Sequence, residues 1–113
     1  MQTTQTGPLV NHCPKFQAAV ELIGRRWTGA IILSMMAGAD RFHEIRETIP
    51  GLSDRLLSTR LRELESERIV TRSVLPDVPP AVRYDLTDKG KALAPVLDAL
   101  QTWSRQHMPS TTT

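Results

Sequence analysis

The stretch that most constrains the fold of this chain is 53–67, which reads SDRLLSTRLRELESE. Placed on a helix at about 100° per residue, it separates into two faces. The apolar face consists of the leucines Leu57, Leu61 and Leu64. The opposite face is polar and contains no carboxylate, and its members are Arg55, Ser58, Thr59, Arg62 and Ser66. Ser53 is a suitable N-cap, because its hydroxyl can accept from the free amide groups of the first turn.

This combination suits contact with DNA. An arginine can pair with both acceptors of a guanine edge or bind a phosphate, and serine or threonine can donate to either. An ordinary amphipathic helix with a solvated polar face has the same pattern. The neighbouring segments must therefore decide between the two interpretations.

Three further helices are predicted before this stretch. The first opens at Cys13-Pro14, keeps helical spacing through 16–23 and stops at Gly24. The second, from about Trp27 to Ala37, is almost wholly apolar and should lie at the centre of the core. The third covers 41–49, and the sequence Ile-Pro-Gly-Leu at 49–52 separates it from the Ser53 helix. Two short helices joined by such a turn form a helix-turn-helix pattern.

The segment after residue 67 predicts a two-stranded hairpin. Residues 69–75 and 81–86 are rich in β-branched residues, and the proline-rich stretch 76–80 must be a loop. A hairpin directly after a recognition-type helix is the wing of a winged helix. Arg72 and Arg83 would lie on this wing and reach phosphate or the minor groove, unless they are solvated charges on an edge strand.

A last helix is predicted after Thr87, which would cap it, and Pro95 should bend it by removing an interior amide donor. Its apolar stripe exceeds what one small core can cover, so a second copy of the chain is the expected partner. The expected dimer contacts are Phe16, Val20, Leu93, Val96, Leu97, Leu100 and Trp103. Two-fold symmetry would place two recognition helices about one DNA turn apart. For Trp103, packing within its own chain is the alternative.

Length and composition are consistent with one domain over 12–107, between a disordered arm at 1–11 and a disordered tail at 108–113. The formal charge of +2 is weak evidence for a nucleic-acid partner, but 11 of the 14 cationic residues are arginines, which favour bidentate contacts. No apolar run reaches the roughly 20 residues of a membrane span, and no signal peptide is apparent, so a cytoplasmic protein is expected.

Enzymatic activity is not expected. The histidines His12, His43 and His107 are scattered, and neither a metal-binding spacing nor a glycine-rich phosphate loop occurs, so we expect no metal and no cofactor. Cys13 is the sole cysteine, which excludes an internal disulfide. It is therefore a buried thiol, a reactive thiol or a bridge between two subunits.

Taken together, these motifs resemble the HxlR family of bacterial winged-helix regulators, which are related to the MarR group. The resemblance runs from about Cys13 to Trp103. It is carried by Cys13-Pro14, Gly24 through Trp27-Thr28, Arg41 to Ile45, Ile49 to Ser53, Leu61 to Glu65, Val78-Pro79-Pro80, Tyr84, Leu86-Thr87, Lys89-Gly90, Pro95 to Leu97 and Trp103. It implies a mainly α fold with a small β-hairpin (α+β), a homodimer formed through the terminal helices, and a repressor or activator without enzymatic activity.

The expected DNA contacts are Arg41, Ser53, Arg55, Ser58, Thr59, Arg62, Arg72 and Arg83. The chain departs from the family pattern at Arg26, which changes little, and at Arg55, where lysine is usual and base preference could differ. Arg68 stands where the family usually has glycine. Arginine in a left-handed helix cap costs about 1 kcal/mol, so either this helix ends differently or Arg68 tolerates strain.

Two sites for an effector are possible. Some members of the family sense oxidants, quinones or aldehydes through a cysteine before the first helix, and Cys13 occupies that position. A helix N-terminus and neighbouring cations would favour its thiolate. Alternatively, a small-molecule pocket could lie at the dimer interface near Trp27, Met35, Met36 and Trp103, although these residues could simply be core. A winged helix that binds protein instead of DNA is the remaining alternative.

Overall fold

A computed structural model of the chain describes residues 13–110. Within them the elements follow the order α1 Pro14–Ile23, α2 Thr28–Met36, α3 Phe42–Glu47, α4 Asp54–Ser66, β1 Val70–Leu75, β2 Ala81–Leu86, α5 Asp88–Lys91 and α6 Ala94–His107. The predicted fold class, a mainly α winged helix-turn-helix with a small hairpin, is confirmed. The predicted arm at 1–11, His12 and the last part of the tail, 111–113, lie outside the described residues.

Helix α2 lies at the centre of the core, as its apolar sequence predicts. Ile31 and Ile32 are completely buried in it. The polar Ser34 is buried as well, and its hydroxyl oxygen lies 2.7 Å from that of Thr48 at the end of α3. Because the Thr48 hydroxyl donates to the carbonyl of Ile45, Ser34 must be the donor to Thr48. This chain of hydrogen bonds ties α2 to α3 and satisfies the buried hydroxyl.

The turn between α3 and α4 depends on glycine. Gly51 has a φ of 90°, in the left-handed region where an L side chain is strained. Two residues later, the hydroxyl of Ser53 accepts from the amide of Leu56 at 3.1 Å and so caps α4, as predicted. The turn and the cap together fix where the second helix of the pair begins.

Helix α4 ends in a left-handed cap at Arg68, whose φ is 60°. The amide of Arg68 donates to the carbonyl of Glu65, and the amide of Ile69 donates to that of Leu64. This is the Schellman arrangement, in which glycine is the usual left-handed residue. Of the two possibilities that the sequence left open, the strained Arg68 is the one found. Ile69 and Leu64 are both buried in the core, where an apolar contact usually accompanies this arrangement.

The two strands pair in antiparallel register from Val70–Leu86 to Leu75–Ala81. The second strand has the predicted limits, and the first begins one residue later than predicted. The amide of Tyr84 donates to the carbonyl of Asp40 at 2.8 Å, which fastens the hairpin to the residues that precede α3. The wing therefore has a fixed position relative to the helix-turn-helix.

The prediction of one bent C-terminal helix is wrong. The segment forms two helices, and Pro95 lies in the first turn of α6, where no amide donor is needed. Thr87 does act as a cap, but for the short α5, by accepting from the amide of Gly90 at 3.0 Å. A Cβ at Gly90 would lie 2.3 Å from the carbonyl oxygen of Ile69. Glycine there permits α5 to pack directly against the start of the wing.

Candidate nucleic-acid interface

The polar face of α4 is open to solvent, whereas its leucine face closes the core. Leu57, Leu61 and Leu64 are at most 2% exposed. On the opposite side Arg55 and Arg62 are exposed. The predicted division of this helix into two faces is therefore confirmed, and its cationic side chains remain available to a partner.

Hydrogen bonds within α4 orient this polar face before any partner arrives. Arg62 donates through Nη1 to the hydroxyl oxygen of Ser58 at 3.0 Å. The Ser58 hydrogen remains available for a further acceptor. Thr59 instead donates its hydroxyl hydrogen to the carbonyl of Arg55 at 3.0 Å, so its oxygen is left as an acceptor only. The arginine and Ser58 are thus arranged as donors, whereas Thr59 is not.

The N-terminal end of α4 adds a second group of donors. Ser53 uses its oxygen to cap the helix and keeps its hydroxyl hydrogen for another acceptor. The free amides of a helix N-terminus carry a partial positive charge that favours phosphate. Asp54 lies in this first turn, but Arg46 of α3 forms an ion pair with it at 3.3 Å. That arginine offsets the one carboxylate at this end of the helix.

Arg41 lies at the start of α3, and its side chain is about one-third exposed (34%). Its Nε is 3.6 Å from Oδ1 of Asp40, close enough for an ion pair but too long for a hydrogen bond. The same Nε is buried and has no hydrogen-bond partner among the described residues. The structure therefore places Arg41 beside the helix pair, with a partly exposed guanidinium.

The two wing arginines point to opposite sides of the hairpin. Directly paired residues share a face, so Arg72 shares one with Tyr84, and Arg83 shares the other with Ser73. Arg83 is bound through Nε to the carboxylate of Asp85 at 2.9 Å. A single flat contact cannot engage both arginines. Of the two, only Arg83 has an ion pair with a neighbouring strand residue in the described part of the chain.

Sequence reasoning missed a cluster of charges on the flank of α4, which we call the α4 clasp: Arg25, Arg60 and Glu63 with the carbonyl of Arg26. Arg60 donates through Nε to that carbonyl at 2.9 Å and through Nη1 to both Glu63 oxygens at 3.0 and 3.1 Å. Arg25 lies 3.3 Å from the same carboxylate. The spacing of Arg60 and Glu63, three apart on a helix, was the available signal.

One carboxylate near the site has a clearly altered acidity. Glu44 accepts from the backbone amides of Asp40 and Arg41 at 3.1 and 3.2 Å. These hydrogen bonds, that of Asp40 first, lower the pKa of Glu44 below its ordinary value of 4.5, against the opposing effect of burial. The ionised carboxylate thus fixes the entry into α3.

The effector candidates differ in burial and in their place in the chain. Cys13 is exposed, at the N-cap of α1. Met35 belongs to the core, whereas Trp103 is half-exposed on α6 with its ring centroid 5.4 Å from that of His107. A cleft of about 590 Å³ lies beside α1, and none of Trp27, Met35, Met36 and Trp103 lines it.

The residues expected at a dimer interface fall into two groups. Five are exposed large apolar side chains: Phe16, Val20, Val96, Leu100 and Trp103. Leu97 is 2% exposed and belongs to the core of its own chain, and Leu93 is partly buried against that core. Among the expected interface residues, the exposed apolar side chains therefore lie on α1, which buries no residue, and on the outer side of α6.

A helix-turn-helix with an exposed arginine face, followed by a wing, defines the class of winged helix-turn-helix DNA-binding proteins. Residues 22–112 match the family model described as HxlR-like helix-turn-helix. The chain belongs to this family, and the predicted resemblance is confirmed. Its relatives are transcriptional regulators and not enzymes, so this chain is a DNA-binding transcriptional regulator.

Two relatives from Bacillus subtilis (strain 168) match over 94 residues, 83% of this chain. The HTH-type transcriptional regulator YodB is 50% identical over 84% of its length, and the uncharacterized regulator YvaP is 46% identical over 87%. The reduced form of YodB superposes with a TM-score of 0.77 at 48% identity, covering 87% of this chain and 96% of that one. The oxidised redox regulator HypR gives 0.79 at 36% identity, covering 87% and 100%.

Residues 13–110 lack two features that would point to other classes of protein. No helix in this range is long and apolar enough to cross a membrane. The same residues contain no group of three or more His, Cys, Asp or Glu side chains that could hold a metal ion.

Proposed function

We propose that this regulator inserts the polar face of α4 into the major groove of an operator near its own gene and represses transcription there. The observation that carries the proposal is the exposed, carboxylate-free face in which Ser58 holds Arg62 in place. A guanidinium held in this way loses little conformational freedom when it binds a base edge or a phosphate. Ser53 and the amides at the helix N-terminus supply further phosphate contacts, and Arg41 and one side of the wing supply contacts outside the groove.

A mobility-shift titration against the DNA upstream of its own gene tests this proposal. We expect affinity to fall steeply with salt, because phosphate contacts release counterions. Arg62→Ala should weaken binding about tenfold or more and reduce the slope of log K against log salt by up to about one. Arg105→Ala is the matched control, since it removes an equal charge from an exposed position on α6.

Equal losses in the two variants would show that charge alone matters and would refute a specific role for α4. Undiminished binding by Arg62→Ala would also refute a specific role for α4. If the unmodified chain shows no preference for the upstream DNA, the alternative of a protein-binding winged helix gains support.

The proposed operator-bound form is a homodimer. Support comes from the five exposed apolar side chains on α1 and α6, whose burial against a second copy would remove them from water. An isologous contact uses the same patch on both copies, which suits two helices near the ends of the chain. A two-fold axis between these helices would present both α4 helices to one side of a duplex.

We further propose that Cys13 makes the regulator respond to electrophiles or oxidants in the cytoplasm. Support comes from its exposure beside the open face of α1 and from the relatives: YodB has been solved in reduced, diamide-treated and quinone-bound forms. The thiolate would add to a quinone carbon, forming an S–C bond and a hydroquinone after proton uptake. With diamide, two Cys13 thiols would lose two electrons and two protons to the oxidant and form an intersubunit disulfide.

Repeating the titration after quinone or diamide treatment tests this response. We expect affinity for the upstream DNA to change in the unmodified chain and to stay constant in Cys13→Ser. An equal change in both would exclude the cysteine and favour a noncovalent effector site.

A further inference from the structure

We infer that the α4 clasp is a positioning device: Arg60 and Glu63 set the orientation of the recognition helix without touching DNA. The inference rests on the proposed use of α4 in DNA binding and goes beyond it. It assigns a role to two charged side chains on α4 that the polar face does not include.

Within the clasp, Arg60 is the side chain turned most toward the protein, whereas Arg25 is 41% exposed. The side chain of Arg60 is 16% exposed and that of Glu63 is 30% exposed. The Arg60 guanidinium donates through Nε to the Arg26 carbonyl and through Nη1 to the Glu63 carboxylate. A side chain so occupied is not presented to a groove, although it belongs to the helix that enters it.

The clasp joins α4 to the turn between α1 and α2. Arg25 and the carbonyl of Arg26 come from this turn, and the next residue, Trp27, has the left-handed φ of 74°. The Trp27 ring also reaches the turn before α4, where a Cβ on Gly51 would lie 3.7 Å from it. The guanidinium of Arg26 lies 5.2 Å from the centre of the same ring.

The α1–α2 turn thus holds α4 at two places, near its beginning through Trp27 and in its middle through the clasp. Together with the buried leucine face of α4, these two separated contacts resist rotation of the helix about its axis. Rotation by a single residue step would turn Arg55 and Arg62 away from the groove. We therefore expect the clasp to affect how well the protein distinguishes DNA sequences more than how strongly it is attracted to phosphate.

Glu63→Gln gives the sharpest test, because two explanations predict opposite signs. If Glu63 were only a negative charge near DNA, its removal would tighten binding to any duplex. If it holds α4 in place, affinity for the upstream duplex should fall about tenfold while affinity for a shuffled duplex of equal length stays constant or rises. Glu65→Gln is the matched control, an exposed glutamate on the same helix whose loss should not weaken either complex.

Arg60→Lys tests the geometry separately. Lysine keeps the charge but has a single nitrogen, so it cannot bind the Arg26 carbonyl and both carboxylate oxygens as the guanidinium does. We expect it to reproduce the loss of discrimination with an unchanged salt slope, and we expect the double variant with Glu63→Gln to lose no more than either single variant. Binding by Glu63→Gln as tight as by Glu65→Gln, or a wild-type affinity of Arg60→Lys for the upstream duplex, would overturn the inference.

A measurement without DNA separates this inference from the proposed function. In a Trp103→Phe background Trp27 is the sole tryptophan. Loosening the clasp by Arg60→Lys should increase quenching of Trp27 fluorescence by iodide, at a temperature where circular dichroism shows both proteins folded. Unchanged quenching would refute the clasp, whereas an absence of any preference for the upstream duplex in the unmodified chain would refute only the proposed function.

Discussion

Helices α4 and α6 are both amphipathic and nearly equal in length, with 13 and 14 residues, but they are completed differently. α4 buries three leucines within its own chain and exposes a polar face. α6 buries only Leu97 in the chain and exposes its remaining large apolar residues. The apolar side of α4 belongs to the core of one chain, whereas that of α6 is exposed and is the surface on which the proposed dimer would form.

Two leucine truncations, one in each helix, test this difference between α4 and α6, and we expect them to have the largest effects. Leu61→Ala in α4 should lower the free energy of unfolding by about 2–5 kcal/mol at every protein concentration, because it leaves a cavity in the core. Leu100→Ala in α6, where the side chain is 52% exposed, should instead weaken self-association by about tenfold. Urea unfolding at two protein concentrations, combined with sedimentation equilibrium, measures both quantities.

The control for that pair is a dilute sample, in which subunits are separate. There Leu100→Ala should unfold at nearly the same urea concentration as the unmodified chain. A loss equal to that of Leu61→Ala would mean that the face of α6 is already covered within the subunit.

The same contrast explains which parts of the fold could be predicted from the sequence. Periodicity identified α4, its cap and its leucine face, because these depend on neighbours in sequence. It failed at Pro95, since a proline in a helical pattern marks either a bend or a first turn, and only the packing of α5 against Ile69 decides between them. It could place Leu97 on an apolar stripe but not decide which side of α6 the core would cover.

The candidate site divides in a similar way. The exposed arginines of α4 follow from helical spacing alone. The clasp does not, because Arg60 meets Arg26 across 34 residues of sequence and only the folded chain brings them together. The wing shows a further limit. The alternation of residues predicted both strands, but it could not predict that Arg72 and Arg83 lie on opposite faces, because this depends on the register in which the strands pair.

A smaller effect is expected at the C-terminal end of α4, where Arg68 adopts a strained left-handed conformation to cap the helix. Arg68→Gly should raise the free energy of unfolding by about 1 kcal/mol, because glycine adopts the left-handed conformation without steric strain. The greater freedom of glycine in the unfolded chain offsets part of this gain. Chemical denaturation measures the change, and Arg68→Ala is the control that removes the side chain but keeps the strain. An equal gain in both variants would show that the side chain, not the backbone, is the cause.

The smallest expected effect is a dependence of stability on pH, caused by Glu44 at the start of α3. Its carboxylate accepts hydrogen bonds from two backbone amides of the same chain. Its pKa is lowered in the folded chain by the amides of Asp40 and Arg41, so its stabilisation is present above the unfolded value near 4.5 and is lost as pH falls through the folded value. Glu44→Gln should therefore be less stable than the unmodified chain at pH 7, with a difference that shrinks below pH 4.5 as Glu44 itself becomes protonated. Urea unfolding at several pH values measures this difference, and it should not vary with protein concentration, because the contact lies within one subunit. A difference that stays constant down to pH 3 would mean that the ionised carboxylate is not what secures α3.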